Sequence, residues 1–152
     1  MKLEQELRMS RFRDDFQRAY LNIVFTGNFL QSKMQQDLKK YNLTPPQFNV
    51  LRILRGQNGI PIGAFAIQDR MVHRTSNVTR IIEKLIDKKL VTRKNNPDNG
   101  RIVDILITKA GLKVINEADS IAQKAINDIS NVLSEEQARE MADWLDAIRN
   151  IA

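Results

Sequence analysis

Ser76-Asn77-Val78-Thr79-Arg80-Ile81-Ile82-Glu83-Lys84-Leu85 is the stretch on which the fold turns. Its spacing predicts a helix over 74–88. At 3.6 residues per turn, Val78, Ile81, Ile82 and Leu85 fall together and must face a core. Ser76, Asn77, Thr79, Arg80 and Lys84 fall largely on the other side. That outward side carries hydroxyl and amide groups near the helix start and cations further along. Its acids are Glu83 and Asp87.

The flanks give this helix its setting. Upstream, Pro61 precedes a short helix predicted over 62–70, with Ala64, Phe65, Ala66 and Ile67 on its inner side. Met71-Val72-His73 is the turn between the two helices. Two helices joined by a tight turn read as a helix-turn-helix. Downstream, the period changes from helix to strand. Leu90-Val91-Thr92 leads into Arg93 and Lys94, residues 95–100 turn, and Ile102, Val103, Ile105, Leu106 and Ile107 return. Asn99-Gly100 between two β-rich runs is a strong hairpin signal. A hairpin directly after a helix-turn-helix is a wing.

An exposed helix with these groups suits the major groove of double-stranded DNA, which admits one α-helix. Arg80 can address guanine O6 and N7 through two parallel hydrogen bonds, and Asn77 can address adenine. Ser76 and Thr79 can reach a phosphate or a base edge. The N–H groups at the helix start favour a phosphate nearby, which adds Arg74 and Thr75 to the candidate contacts. In the wing, Arg93 and Lys94 suit phosphates, which supply affinity without sequence choice. Two readings stay open for Arg101: insertion into the narrow minor groove, or pairing with Asp98 across the turn. His73, the sole histidine, is open between a phosphate or helix-end role and an idle exposed side chain.

Further outward, Phe12, Phe16, Tyr20, Ile23, Leu30, Met34 and Leu38 recur at helical spacing and predict one helix over 10–40. About thirty residues make a helix ~45 Å long, more than a small domain needs for its own core. Its apolar stripe faces either its own chain or a second subunit. Thr44 and Pro45 open the next helix, with Gln47 at capping-box spacing, and it ends near Gly56. Thr108 caps a long helix that carries Leu112, Ile115 and Ala118. Ser134 and Gln137 form a second capping box before a last helix with Met141, Trp144, Leu145 and Ile148. Trp144 reads as a packing residue.

Charge is divided along the 152-residue chain, whose net charge is +6. From Arg70 to Arg101 nine Lys/Arg face three acids; from Glu117 onward eight acids face three Lys/Arg. One part of the chain is therefore suited to a polyanion, and the other is not. The absence of cysteine removes disulfides, thiolate zinc sites and thiol redox chemistry. One histidine leaves little for a nucleophilic triad, and no Gly-rich phosphate loop or metal-ligand spacing is present. The chain is expected not to be an enzyme and to need no cofactor. Its start lacks the apolar core of a signal peptide, and no apolar run approaches the ~20 residues of a membrane span. A cytoplasmic protein with no membrane partner is expected.

Taken in order, these segments resemble the MarR-type multiple-antibiotic-resistance regulators. The likeness is carried by residues 43–51 (Leu-Thr-Pro-Pro-Gln-Phe-Asn-Val-Leu), by 76–85, by Leu90-Val91-Thr92-Arg93, by 96–101 (Asn-Pro-Asp-Asn-Gly-Arg), and by Ile107-Thr108-Lys109-Ala110-Gly111. The resemblance implies one domain over 1–152 of the mainly α (α+β) class. Residues 43–108 would form the winged helix-turn-helix lobe, and 10–40 with 109–152 the dimerisation lobe. It implies a homodimeric transcriptional repressor on a pseudo-palindromic operator, a wing arginine in the minor groove, and release by small phenolic or anionic effectors. Phe16, Tyr20, Phe48 and Arg52 are candidates to line an effector cleft, or else are ordinary core. The alternative function is a helical dimerisation or adaptor protein that keeps the fold without operator specificity. Two positions depart from the family pattern. Asn99 stands where the family has Asp, and Lys89 stands where it has Gly before the first wing strand. A left-handed backbone at Lys89 would carry strain of order 1 kcal/mol.

Overall fold

A computed structural model describes residues 2–72, 77–95 and 103–151. The chain divides into two compact units, Met1–Pro45 and Pro46–Ala152.

The first unit holds a one-turn helix α1 (Leu3–Glu6), the long helix α2 (Asp15–Leu38) and a 3-10 turn, Lys39–Tyr41. The predicted helix over 10–40 is thus shorter at both ends. Asp14 sets its start: the Asp14 carboxylate accepts the Gln17 backbone N–H at 2.7 Å. That bond, helped by the Arg13 guanidinium, holds the Asp14 carboxyl below the ordinary aspartate range. Asn42 sets the stop with a left-handed backbone at φ 54°. The Leu43 N–H then reaches back to the Leu38 carbonyl, and the Asn42 N–H to that of Lys39. This is the Schellman pattern, with apolar residues on both sides of the left-handed position.

The second unit continues from α3 (Pro45–Gly56) through α4 (Ala64–Asp69), α5 (Val78–Asp87), β1 (Val91–Asn95), β2 (Val103–Ile107), α6 (Lys109–Ser130) and α7 (Glu135–Arg149). Strands β1 and β2 pair antiparallel, Val91 opposite Ile107 and Asn95 opposite Val103. Ile62 adds a short bridge on the other edge of β2: Ile62 and Ile105 exchange both backbone hydrogen bonds, at 3.3 and 3.0 Å. This corrects the helix expected over 62–70. Its first residues are drawn into the sheet, where β-branched Ile pairs well, and the helix begins only at Ala64. Phe65 is also corrected, being exposed while Ile67 is fully buried. Two residues apart on a helix lie ~200° apart, so a six-residue helix cannot turn both inward.

The core of this unit collects Phe48, Val50, Leu51 and Leu54 from α3, Ile67 from α4, and Val78, Ile82 and Leu85 from α5. Ile105 adds the sheet, and Ile115, Ala118 and Ile121 add α6. Expected caps are present: Thr108 accepts the Gly111 N–H at 3.0 Å, and Ser134 with Gln137 forms the capping box of α7. Gly111 is held by space. A Cβ there would collide with the Leu90 carbonyl oxygen and come within 2.8 Å of Ile107 Cγ1. Trp144, expected to pack, is 71 % exposed within this chain, and α7 buries no residue among those described.

Candidate nucleic-acid interface

Helix α5 begins later than its period suggested. Asn77 is its N-cap, in an extended conformation, and the Asn77 side-chain oxygen accepts the Arg80 backbone N–H at 3.1 Å. Asn is among the best N-cap residues because that bond satisfies a donor the helix itself cannot. The helix expected over 74–88 is corrected to Val78–Asp87 for this reason. Asn77 is therefore not on a helix face. Its oxygen serves the helix end.

The face itself is as expected. Val78, Ile82 and Leu85 are buried, whereas Asn77, Thr79, Arg80, Glu83, Lys84 and Asp87 are exposed. The exposed side holds donors of the kinds that read base edges and bind phosphate. At the far end α5 stops in a second Schellman pattern. Lys89 is left-handed at φ 60°, its N–H bonds the Ile86 carbonyl at 2.7 Å, and the Leu90 N–H bonds that of Leu85 at 3.0 Å. The departure from Gly at Lys89 thus does meet a left-handed backbone. The Thr108 hydroxyl donates to the Lys89 carbonyl at 2.8 Å, and the Thr108 N–H to that of Leu90 at 3.0 Å. The start of α6 is thereby tied to the end of α5.

In the hairpin, Arg93 and Lys94 are exposed on β1, with Lys94 opposite Asp104 in register. His73, Arg74, Thr75, Ser76, the turn 96–100 with Asn99, and Arg101 lie outside the described residues. The other candidates divide between the units. Phe16 and Tyr20 are exposed on α2, at 86 % and 65 %, in the first. In the second, Phe48 is buried and the Arg52 guanidinium lies over its ring, 5.8 Å from the centroid.

Three groups of side-chain contacts were not foreseen. Arg55 donates to Asn116 at 3.2 Å and to Asp119 at 3.1 Å, and Arg52 approaches the same Asp119 oxygen at 3.9 Å, joining α3 to α6. Asn49 accepts the Val72 backbone N–H at 3.0 Å. Gln47 accepts from the Lys88 ammonium at 3.0 Å. Of these residues only Gln47 was singled out in the sequence, and there for its capping-box spacing from Thr44 rather than as a partner of Lys88. Among the described residues, no group of three or more His, Cys, Asp or Glu could hold a metal ion, and no helix is long and apolar enough to cross a membrane.

Comparison with known proteins agrees with this architecture. The sequence model of the MarR family matches residues 43–103, from the start of α3 to the return strand of the hairpin. The HTH-type transcriptional regulator TcaR of Staphylococcus aureus is 31% identical over 138 residues, covering 89% of this chain and 87% of its own. Among solved structures, the S. aureus MepR–DNA complex matches with a TM-score of 0.78 at 23% identity, over 88% of this chain and 97% of that one. The organohalide-sensing regulator RdhR in its 2,4-dichlorophenol-bound form matches with a TM-score of 0.79 at 18% identity, over 90% and 80%. With the order of elements, the exposed polar face of α5 and the extent of the TcaR match all in agreement, this chain belongs to the MarR family of helix-turn-helix transcriptional regulators.

Proposed function

We propose that the protein is a sequence-specific repressor that binds a pseudo-palindromic DNA operator as a homodimer. The observation that carries this reading is the division of α5. Its apolar side is spent on the chain's own core, and its other side presents Thr79, Arg80 and Lys84 to solvent. Ten residues make a rod about 15 Å long. With its side chains a helix is about 10–12 Å across, which fits a major groove about 12 Å wide. Arg80 reads a base edge, Thr79 a base edge or phosphate, and Lys84 a phosphate. Arg93 and Lys94 meet backbone phosphates from the hairpin. Arg74, Thr75, Ser76 and Arg101 complete the proposed contacts, with Arg101 in the adjacent minor groove. The Asn77 NH2 group can still donate, although its oxygen serves the helix end.

Dimerisation is supported by what the terminal helices leave uncovered. Phe16, Tyr20 and Phe29 on α2, and Trp144 and Ile148 on α7, are 47 % to 86 % exposed. Apolar exposure on this scale marks an interaction surface. A second copy of the chain is the occupant that would also present two reading helices, about one DNA turn (~10 base pairs) apart. A small phenolic or anionic effector is part of the same proposal. Each unit offers accessible groups of its own: Phe16 and Tyr20 on α2 in the first, and in the second Arg52, whose guanidinium lies over the Phe48 ring.

Selection of bound sequences from random duplex DNA tests the reading. A palindromic consensus is expected, with affinity falling steeply as salt rises. Binding without preference among duplexes would favour a dimerisation or adaptor protein instead.

A further inference from the structure

We infer that Asn49 and Gln47, both on α3, are positioning residues that hold the two ends of the reading helix and so decide which bases Arg80 can reach. The inference rests on the DNA reading above. At the leading end, the Asn49 side-chain oxygen accepts the Val72 backbone N–H at 3.0 Å across 23 positions of sequence. The Val72 side chain is 81 % exposed, so the turn is not held there by burial of that side chain. Burial of the preceding Met71, 4 % exposed, anchors the chain beside it, and the hydrogen bond fixes the backbone at Val72 itself. At the trailing end, Lys88 is the C-cap of α5, and its ammonium donates to Gln47 at 3.0 Å across 41 positions. Gln47 is 3 % exposed, the one polar residue in the buried set among the described residues.

A buried amide oxygen has to be satisfied, and the Lys88 ammonium that donates to it ties the end of α5, set by the left-handed Lys89, to α3. Burial, with repulsion from Lys84, pushes the Lys88 ammonium down from the ordinary lysine range. Gln47 and Asn49 lie two residues apart on a helix, so their side chains leave it ~200° apart. One helix can therefore reach both the turn before α5 and the C-cap of α5. Base reading needs this control. A two-bond contact to guanine tolerates roughly 0.5 Å and 10–20° of misplacement.

The test uses the full-length chain and four variants. Asn49→Ala and Gln47→Leu remove the acceptors, whereas Asn49→Asp and Gln47→Glu keep them. The readout is affinity for the selected palindrome divided by affinity for a scrambled duplex at one salt concentration. A ratio cancels the uniform penalty of an added carboxylate. The first pair should lose roughly three- to tenfold in that ratio, and the second should stay within about twofold of the parent. Equal loss on both duplexes would overturn the inference, as would equal loss in the acceptor-keeping pair. Should Gln47→Leu not fold, Lys88→Met removes the same bond from the donor side and is read in the same way. Amide hydrogen exchange without DNA separates the inference from the function it rests on. Exchange at the Val72 N–H should quicken in Asn49→Ala, and unchanged exchange would refute the tie. A parent chain without duplex preference would refute the DNA reading instead.

Discussion

Helices α5 and α7 are both amphipathic, yet they use their apolar sides in opposite ways. Over ten residues α5 buries Val78, Ile82 and Leu85 within its own chain. Over fifteen residues α7 buries none and leaves Met141, Trp144 and Ile148 at 45 %, 71 % and 47 % exposure. A helix satisfied by its own chain frees its polar side for a ligand. A helix left unsatisfied requires another surface. The contrast fits the proposed reading, with DNA contact at one and self-association at the other, and each part of it can be broken separately.

The largest effect is expected where the unit bearing α5 is most crowded. Gly111→Ala places a methyl group against the Leu90 carbonyl and Ile107. It should destabilise the fold by about 3 kcal/mol. Thermal unfolding measures this loss, and an unchanged midpoint would show that the junction of α5, β1 and α6 is slack. Next comes α7. Trp144→Ala removes an aromatic anchor and should weaken self-association by about 2 kcal/mol or more, at least ~30-fold in dissociation constant. Sedimentation at several concentrations reads it, and an unaltered dimer would take this face out of the interface.

Arg80→Ala should cost about 1–3 kcal/mol on the selected operator and relax preference at one base position. Loss of the same size on every duplex would reassign Arg80 to phosphate. The smallest effect is a gain. Lys89→Gly relieves a left-handed backbone at φ 60° and should raise stability by roughly 0.5–1 kcal/mol. A chemical denaturation midpoint that falls would mean the Lys89 side chain contributes more than its strain costs.

Much of the fold was legible because periodicity and capping are local. The apolar set Val78, Ile82 and Leu85 could be placed by spacing alone. Thr108 and Ser134 could be named as caps because each has its partner three residues on. The same locality explains the errors. Asn77 looked helical by period, but its side chain closes the helix end. Ile62 looked like a helix start, but a strand more than forty positions downstream claims its backbone. In the candidate site, Thr79, Arg80 and Lys84 were found from their position on the wheel. Asn49 was missed, since nothing in a lone half-buried amide announces that it will hold a turn 23 residues away.

By itself the sequence determined which side of each helix is apolar, where helices are capped, where the hairpin lies, and that positive charge gathers in the middle of the chain. Those properties depend on neighbours within a few positions, which the order of residues states directly. Tertiary structure alone decided that Lys88 meets Gln47, that Gly111 has no room for a methyl group, and that α7 buries no residue among those described. Each of those depends on how elements distant in sequence pack, and packing is settled by the shape and volume of the whole core rather than by any local pattern.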